Sequence, residues 1–155
     1  FGVFGTCAIT ALTAQNTTAV VGVAPVSPEM VVAQIDAVLS DIPADAIKTG
    51  MLATRAIVDA VADRARTWRF RHLVVDPIVV SSSGRPLLDD DGVDALRRDL
   101  LPLAAVVTPN VPEAERLSGR AIATADDRRE AARRIHAQWP DPRRRPLSTN
   151  RSGHV

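Results

Sequence analysis

The sequence predicts an α/β fold in which helices cover a mostly parallel central sheet. Short apolar segments rich in Val and Ile alternate with amphipathic segments at intervals of about 25 to 30 residues, the pattern of βαβ units. Polar residues follow several apolar segments directly, as expected where parallel strands end at a ligand site. With 155 residues and 46% hydrophobic content, the chain is long enough for one domain with a core.

Five segments have the length and composition of strands. The first two are too close together for a helix to cross between them, so we expect either a local hairpin or a strand that leads into a flap. The later ones are separated by helical patterns, which predicts parallel pairing. The five predicted strands are 7–12, 20–23, 46–48, 73–76 and 105–108.

Five helices are predicted between and after these strands. Ser27 and Pro28 supply an N-cap and a first helical residue, and Pro43 ends the helix that they begin. Apolar residues at helical spacing predict the next two helices, and Pro102 marks the end of the third. The remaining four helices are predicted at 54–66, at 90–101, after Asn110 and from about Thr124.

Composition excludes several classes of protein. A net charge of +1 gives no overall field toward nucleic acid, and the arginines between 128 and 151 are accompanied by a single aromatic residue, Trp139, instead of the interleaved aromatic residues that a stacking surface requires. The sequence contains no apolar run of about 18 residues and no basic leader, so we predict no membrane segment. Cys7 is the single cysteine, which excludes an internal disulfide and fits a reducing compartment. We therefore predict a cytoplasmic protein that binds neither nucleic acid nor membrane.

The end of the chain differs from the rest. Residues 140–155 contain three consecutive arginines and several helix breakers where the alternation requires another buried strand. We predict a partial domain over 1–139 and a disordered Arg/Pro-rich tail over 140–155. Because the chain begins at Phe1 within an apolar segment, we also expect it to be a fragment.

Two motifs at strand ends allow two interpretations each. Asn110 and Glu113 have the spacing of a helix capping box, and the same groups at a helix N-terminus suit an anion and a magnesium ion's water shell. Asp76 follows the most apolar strand, where it either forms an Asp-Pro turn or holds a metal or phosphate.

Three further motifs are less specific. Gln15 ends an apolar segment and delivers an uncharged hydrogen-bonding group, whereas Lys48 either extends its charge into solvent or contacts phosphate. The loop that contains Ser82 to Gly84 is either a solvated connection or a source of phosphate donors. The three histidines lack metal-ligand spacing, so we assign them no metal.

Taken together, ITALTAQNT, DAIKTGML, LVVDPIVV and LLPLAAVVTPNVPEAERLSG closely resemble the hydroxymethylpyrimidine/phosphomethylpyrimidine kinases of thiamine biosynthesis. These kinases belong to the ribokinase-like superfamily, and the resemblance extends from Phe1 to Trp139. It implies a ribokinase-like α/β fold and phosphorylation of a hydroxymethylpyrimidine and its monophosphate by ATP with Mg. The resemblance is also compatible with a homodimer.

The resemblance implies roles for seven residues. Gln15 would hydrogen-bond the aminopyrimidine edge, with Thr13, Met51 and Ile78 lining the substrate pocket. Asp76, Asn110 and Glu113 would organise Mg and the ATP phosphates, and Asp76 and Glu113 would hold the metal directly or through water. A side-chain amide can match the donor–acceptor edge of a heterocycle, and phosphoryl transfer depends on positioning and charge neutralisation.

The sequence departs from the family in several places. The family's GGAGxxAD, KGGH and GTGC segments have no counterpart here, and its AKSG is SSSG. Since GTGC forms the anion hole, we expect no catalytic residue in these 155 residues and a weak or absent turnover. Two alternatives stay open: a pyridoxal kinase-type activity, and a non-catalytic remnant that acts as an interaction module.

Overall fold

A computed structural model describes residues 2–81 and 86–137. Its parallel sheet has three strands in the order β3–β4–β5, namely β3 Ile47–Thr49, β4 Leu73–Val75 and β5 Val106–Val107. A helix or a longer helical segment separates each strand from the next, which is the connection that parallel pairing requires. The prediction of a parallel sheet with crossover helices is thus confirmed.

The first two strands form a separate antiparallel hairpin. β1 Ala11–Gln15 pairs with β2 Val20–Pro25, and the register shifts between Ala14 and Gln15. A hairpin is one of the two arrangements predicted for this segment, and its first strand lies later than expected. Ala11 faces Pro25, and beyond that pair the N–H of Val26 donates to the carbonyl of Thr10 at 2.9 Å.

Ile9, one residue before Thr10, is held by a side chain instead of a strand partner. The N–H of Ile9 donates to Gln34 Oε1 at 2.9 Å, and Gln34 Nε2 donates to the carbonyl of Ile9 at 3.0 Å. The predicted strand at 7–12 is therefore wrong over residues 7–10: β1 begins at Ala11, the backbone pairing reaches Thr10, and Ile9 binds the amide of Gln34 instead.

Two long helices follow the hairpin and β3. α1 Pro28–Asp41 begins after Ser27, whose hydroxyl accepts the N–H of Met30, and α2 Arg55–Thr67 is capped in the same way by Thr54. α2 contributes most to the core because one full face of it is buried. The buried residues of that face are Ile57, Val58, Val61, Ala62 and Ala65.

The third helical segment is less regular than the sequence predicts. α3 Asp90–Ala95 continues as a π-helical turn over Leu96–Leu100 and a 3₁₀ turn over Leu101–Leu103. Pro102 lacks the N–H that a continuing α-helix needs, so the predicted α-helix over 90–101 gives way to other turns. The change keeps Leu96, Leu100 and Leu101 buried.

α4 Val111–Ser118 and α5 Ala125–Ala137 pack on each other at the end of the described chain. α4 stops at Gly119, whose φ of 66° provides a left-handed cap. Among the described residues, no helix has both the length and the apolar character to cross a bilayer. The predicted tail over 140–155 lies outside the described residues, as do Ser82 to Gly84.

The start of α5 carries a charged cap that makes stability depend on pH. Arg120 Nη2 donates to Asp127 at 2.7 Å, and the Thr124 hydroxyl donates to the same carboxylate at 2.7 Å. The Arg120 guanidinium, and after it the Thr124 donors, hold the pKa of Asp127 well below its usual range. A carboxyl with a depressed folded-state pKa stabilises the fold above its unfolded pKa of about 3.9 and loses that contribution as pH falls.

We therefore expect Asp127→Asn to melt below the wild type at neutral pH, with a gap that narrows as pH drops below about 4. The matched control is Asp126→Asn, which removes an 89%-exposed carboxylate whose one ion pair within residues 2–81 and 86–137 is with Arg129 on the helix surface. Melting curves of the three proteins across pH measure the effect. A gap that stays constant down to the lowest pH would contradict the charged cap.

Candidate active site

One cavity of about 520 Å³ lies where the hairpin meets the carboxyl ends of β4 and β5. Its walls come from the hairpin, from the segments after β3 and β4, and from the start of α4. All seven residues assigned by resemblance line it: Thr13, Gln15, Met51, Asp76, Ile78, Asn110 and Glu113. The structure thus brings the proposed substrate and phosphate residues to one place, and their roles stay predictions.

The hairpin forms one wall. Ala11, Thr13 and Gln15 line the cavity because alternate residues of a strand share a face, and the bulge at Gln15 still leaves its side chain on that side. Asn16 fixes the turn beyond, since its Oδ1 accepts the N–H groups of Thr18 at 2.9 Å and Ala19 at 2.8 Å. This wall presents a hydroxyl, an amide and a methyl group.

The hairpin is tied to the loop that carries Met51. The hydroxyl of Thr10, just before β1, donates to the carbonyl of Met51 at 2.5 Å. Thr10 lies on the cavity wall as well. Sequence reasoning missed this residue, because a threonine before a strand has no pattern that predicts a partner 41 residues away.

Asp76 follows β4 and forms an ion pair that spans two strands. In the parallel register Lys48 faces Val74, so Lys48 and Asp76 lie on the same face of the sheet one step apart. Lys48 Nζ lies 2.6 Å from Asp76 Oδ2. The sequence allowed two interpretations of Lys48, and neither included this pair; its only signal was that both residues stand at the ends of apolar strands.

Asn110 and Glu113 open α4 as a complete capping box. The N–H of Asn110 donates to Glu113 Oε2 at 2.9 Å, and the N–H of Glu113 donates to Asn110 Oδ1 at 2.9 Å. The capping interpretation is therefore confirmed. Both side chains also line the cavity, so the cap does not exclude a functional role.

Glu113 is the most deeply buried carboxylate of the described residues, at 3% exposure. Burial raises its pKa, and the negative charge of Asp76 acts in the same direction. The N–H groups of Asn110 and Val79 donate to the carboxylate and oppose the rise in pKa. Two carboxylates in mutual repulsion with a single lysine nearby form a site that favours an added cation.

The donor set suits Mg²⁺. Carboxylate and amide oxygens are hard ligands, and magnesium is commonly held by one or two carboxylates together with substrate phosphates and water. Within the described residues no group of three or more His, Cys, Asp or Glu forms a closed metal cage. Asp76 and Glu113 therefore fit a magnesium that is completed by phosphate oxygens and water.

Comparison with known proteins identifies the family. The family model for phosphomethylpyrimidine kinase matches residues 1–141. The hydroxymethylpyrimidine/phosphomethylpyrimidine kinase of Rhizobium meliloti (strain 1021) is 51% identical over 136 residues, which are 88% of this chain and 50% of that protein. The chain spans about half the length of such curated relatives.

Solved structures share the fold. The phosphomethylpyrimidine kinase of Clostridium difficile 630 superposes with a TM-score of 0.82 at 37% identity, over 90% of this chain and 60% of that one. The pyridoxal kinase of Staphylococcus aureus in complex with AMP-PCP and pyridoxal gives a TM-score of 0.73 at 32% identity, over 85% of this chain and 47% of that one. The predicted ribokinase-like α/β fold is confirmed. Because the family model covers nearly all of its residues, this chain belongs to the phosphomethylpyrimidine kinase family.

Proposed function

We propose that this chain carries the substrate and magnesium residues of an enzyme that phosphorylates 4-amino-5-hydroxymethyl-2-methylpyrimidine and its monophosphate with MgATP, as a step of thiamine diphosphate synthesis. Turnover by these 155 residues themselves is expected to be weak or absent, because they contain no counterpart of the family's GTGC segment. The observation that carries the proposal is the convergence of seven resemblance-assigned residues on one cavity of about 520 Å³. Such a volume is typical of pockets for small molecules. The curated relatives of this chain bear the name of the same activity.

The pyrimidine is proposed to lie against the hairpin wall. The Gln15 amide offers one acceptor and one donor in a plane, which matches an amino group beside a ring nitrogen. Met51 and Ile78 supply the apolar surface that a flat heterocycle needs, and Thr13 offers a hydroxyl. A neutral ligand fits the space between the hairpin and the segments after β3 and β4, because none of these four side chains carries charge.

The phosphates are proposed to lie against the opposite wall. The N-terminus of α4 provides a positive dipole end, while Asp76 and Glu113 would hold Mg²⁺, directly or through water. When bound, the metal would neutralise charge on the transferred phosphoryl group. ATP is supported by the AMP-PCP complex of the Staphylococcus aureus pyridoxal kinase, and Mg²⁺ by the oxygen donor set described above.

Calorimetric titration of the full chain with the hydroxymethylpyrimidine tests the substrate wall. Gln15→Ala should weaken binding by about 5- to 150-fold, because a lost polar contact costs about 1–3 kcal/mol. Leu12→Ala is the matched control, since Leu12 is 65% exposed on the other face of β1. Equal affinity of wild type and Gln15→Ala would contradict the proposed pyrimidine site.

Pyridoxal phosphorylation is the second candidate, favoured by the similarity to the Staphylococcus aureus pyridoxal kinase. Titration of pyridoxal against protein saturated with the hydroxymethylpyrimidine separates the two substrates. The pyrimidine proposal expects pyridoxal to bind the free protein more weakly than the pyrimidine does. It also expects pyridoxal to fail to displace the bound pyrimidine. A protein that binds neither compound would favour the interaction module.

We also propose a cytoplasmic location, consistent with a single cysteine, Cys7, and with ATP as the phosphate donor.

A further inference from the structure

Lys48 occupies the position where a cation would approach Asp76. Its Nζ lies 2.6 Å from Asp76 Oδ2 and makes a weaker 3.4 Å contact with the carbonyl of Thr49. Within residues 2–81 and 86–137, no other cationic side chain pairs with Asp76. The lysine thus supplies the positive charge that this carboxylate needs in the absence of metal.

A magnesium ion on the same carboxylate oxygen would lie close to the ammonium group. Mg²⁺ binds oxygen at about 2.1 Å, so the two cations would be held within a few ångströms of each other. Like charges at that distance repel strongly even when solvent screens them. Direct metal binding at Asp76 Oδ2 therefore requires Lys48 to leave.

Lys48 is able to leave. Its side chain is 57% exposed, whereas that of Asp76 is 27% exposed. The four-carbon stem carries a compact charge with rotatable donors, which can pass from one anionic partner to another at small cost. Asp76 instead is held at the end of a central strand, so the lysine is the partner that moves.

We propose that Lys48 is a positioning residue that neutralises Asp76 in the metal-free protein and competes with the divalent cation for it. On metal entry the ammonium is released from Asp76, whose carboxylate lines the cavity proposed for the phosphates. Metal binding and phosphate binding then support each other, because each removes one partner of the ion pair. This inference rests on the proposed function, since it takes Asp76 to be a metal ligand.

The test is Mn²⁺ affinity of the full chain without nucleotide, measured by electron paramagnetic resonance of free Mn²⁺. Lys48→Met removes the competing charge and should bind Mn²⁺ about tenfold more tightly than wild type. Lys48→Arg retains the charge and should bind no more tightly than wild type. Equal affinities of Lys48→Met and wild type would overturn the proposal, whatever the effect on stability.

The same measurement in an Asp76→Asn background separates this inference from the proposed function. If Lys48 acts through Asp76, the gain from Lys48→Met disappears in the double variant. A gain that persists there reflects general charge and overturns the role of Lys48. If Asp76→Asn alone binds Mn²⁺ as tightly as wild type, the assignment of Asp76 as a metal ligand fails instead.

Discussion

Leu73→Ala is expected to lower the unfolding free energy by about 2–5 kcal/mol, the range for removing a fully buried leucine. Leu73 has no exposed surface and opens β4, the middle strand of the parallel sheet. Its carbonyl accepts the N–H of Ala105 at 2.7 Å, so the cavity left by the truncation lies beside the contact that leads into β5. Urea denaturation followed by circular dichroism measures the change.

Leu12→Ala is the matched control for size and chemistry. Leu12 is 65% exposed, so the same truncation should cost no more than about 0.5 kcal/mol. Similar losses for the two variants would mean that β4 does not form the centre of the core. A large loss confined to Leu73→Ala is what the three-stranded order of the sheet requires.

Glu113→Ala is expected to abolish the gain in melting temperature that MgATP gives and to lower the unfolding free energy by about 1–3 kcal/mol. The variant removes an acceptor for the N–H of Asn110 and one of two cavity carboxylates. Glu113→Gln retains a carbonyl for the Asn110 bond, so it should lose about 1 kcal/mol or less while also losing the MgATP effect. Differential scanning fluorimetry with and without MgATP gives both quantities.

Ser27→Ala provides the control for capping alone. Ser27 caps α1 through the N–H of Met30, and its loss should cost about 1 kcal/mol without reducing the MgATP effect. If Glu113→Gln also keeps the full MgATP effect, Glu113 serves only as a cap. That result would remove Glu113 from the proposed metal site and leave Asp76 there.

The elements with strong local signals were the ones that sequence could predict. Each of three helix starts has a capping side chain that accepts a backbone N–H within four residues, so the sequence alone identifies these starts. The capping residues are Ser27, which precedes Pro28, Thr54, and Asn110 with Glu113. The edges of the elements were less predictable. The first strand begins later than predicted, and the backbone of Ile9 binds Gln34, a residue of α1 that no local pattern identifies as its partner.

The features of the site likewise divide into those that have a local sequence signal and those that do not. Polar residues at strand ends indicated the cavity, because parallel strands bring their carboxyl ends to one edge. The assignment of roles came from the family resemblance. The Lys48–Asp76 pair and the Thr10–Met51 bond depend on register and on loop conformation, which local patterns do not encode.

The two walls of the cavity differ in how firmly the rest of the protein holds them. Of the residues in strands β1 and β2, all of which the structure describes, only Val20 is buried, and a two-stranded hairpin has little stability of its own. Asp76 instead follows β4, and Glu113 lies within α4. These two elements contain the fully buried Leu73, Val75 and Leu117. Amide hydrogens of the hairpin should therefore exchange with solvent well before those of β4. Ligand binding at Gln15 would have to order a weakly held wall, whereas phosphate would meet a wall that is already rigid. The loss of protein conformational entropy would therefore oppose pyrimidine binding more than it opposes phosphate binding.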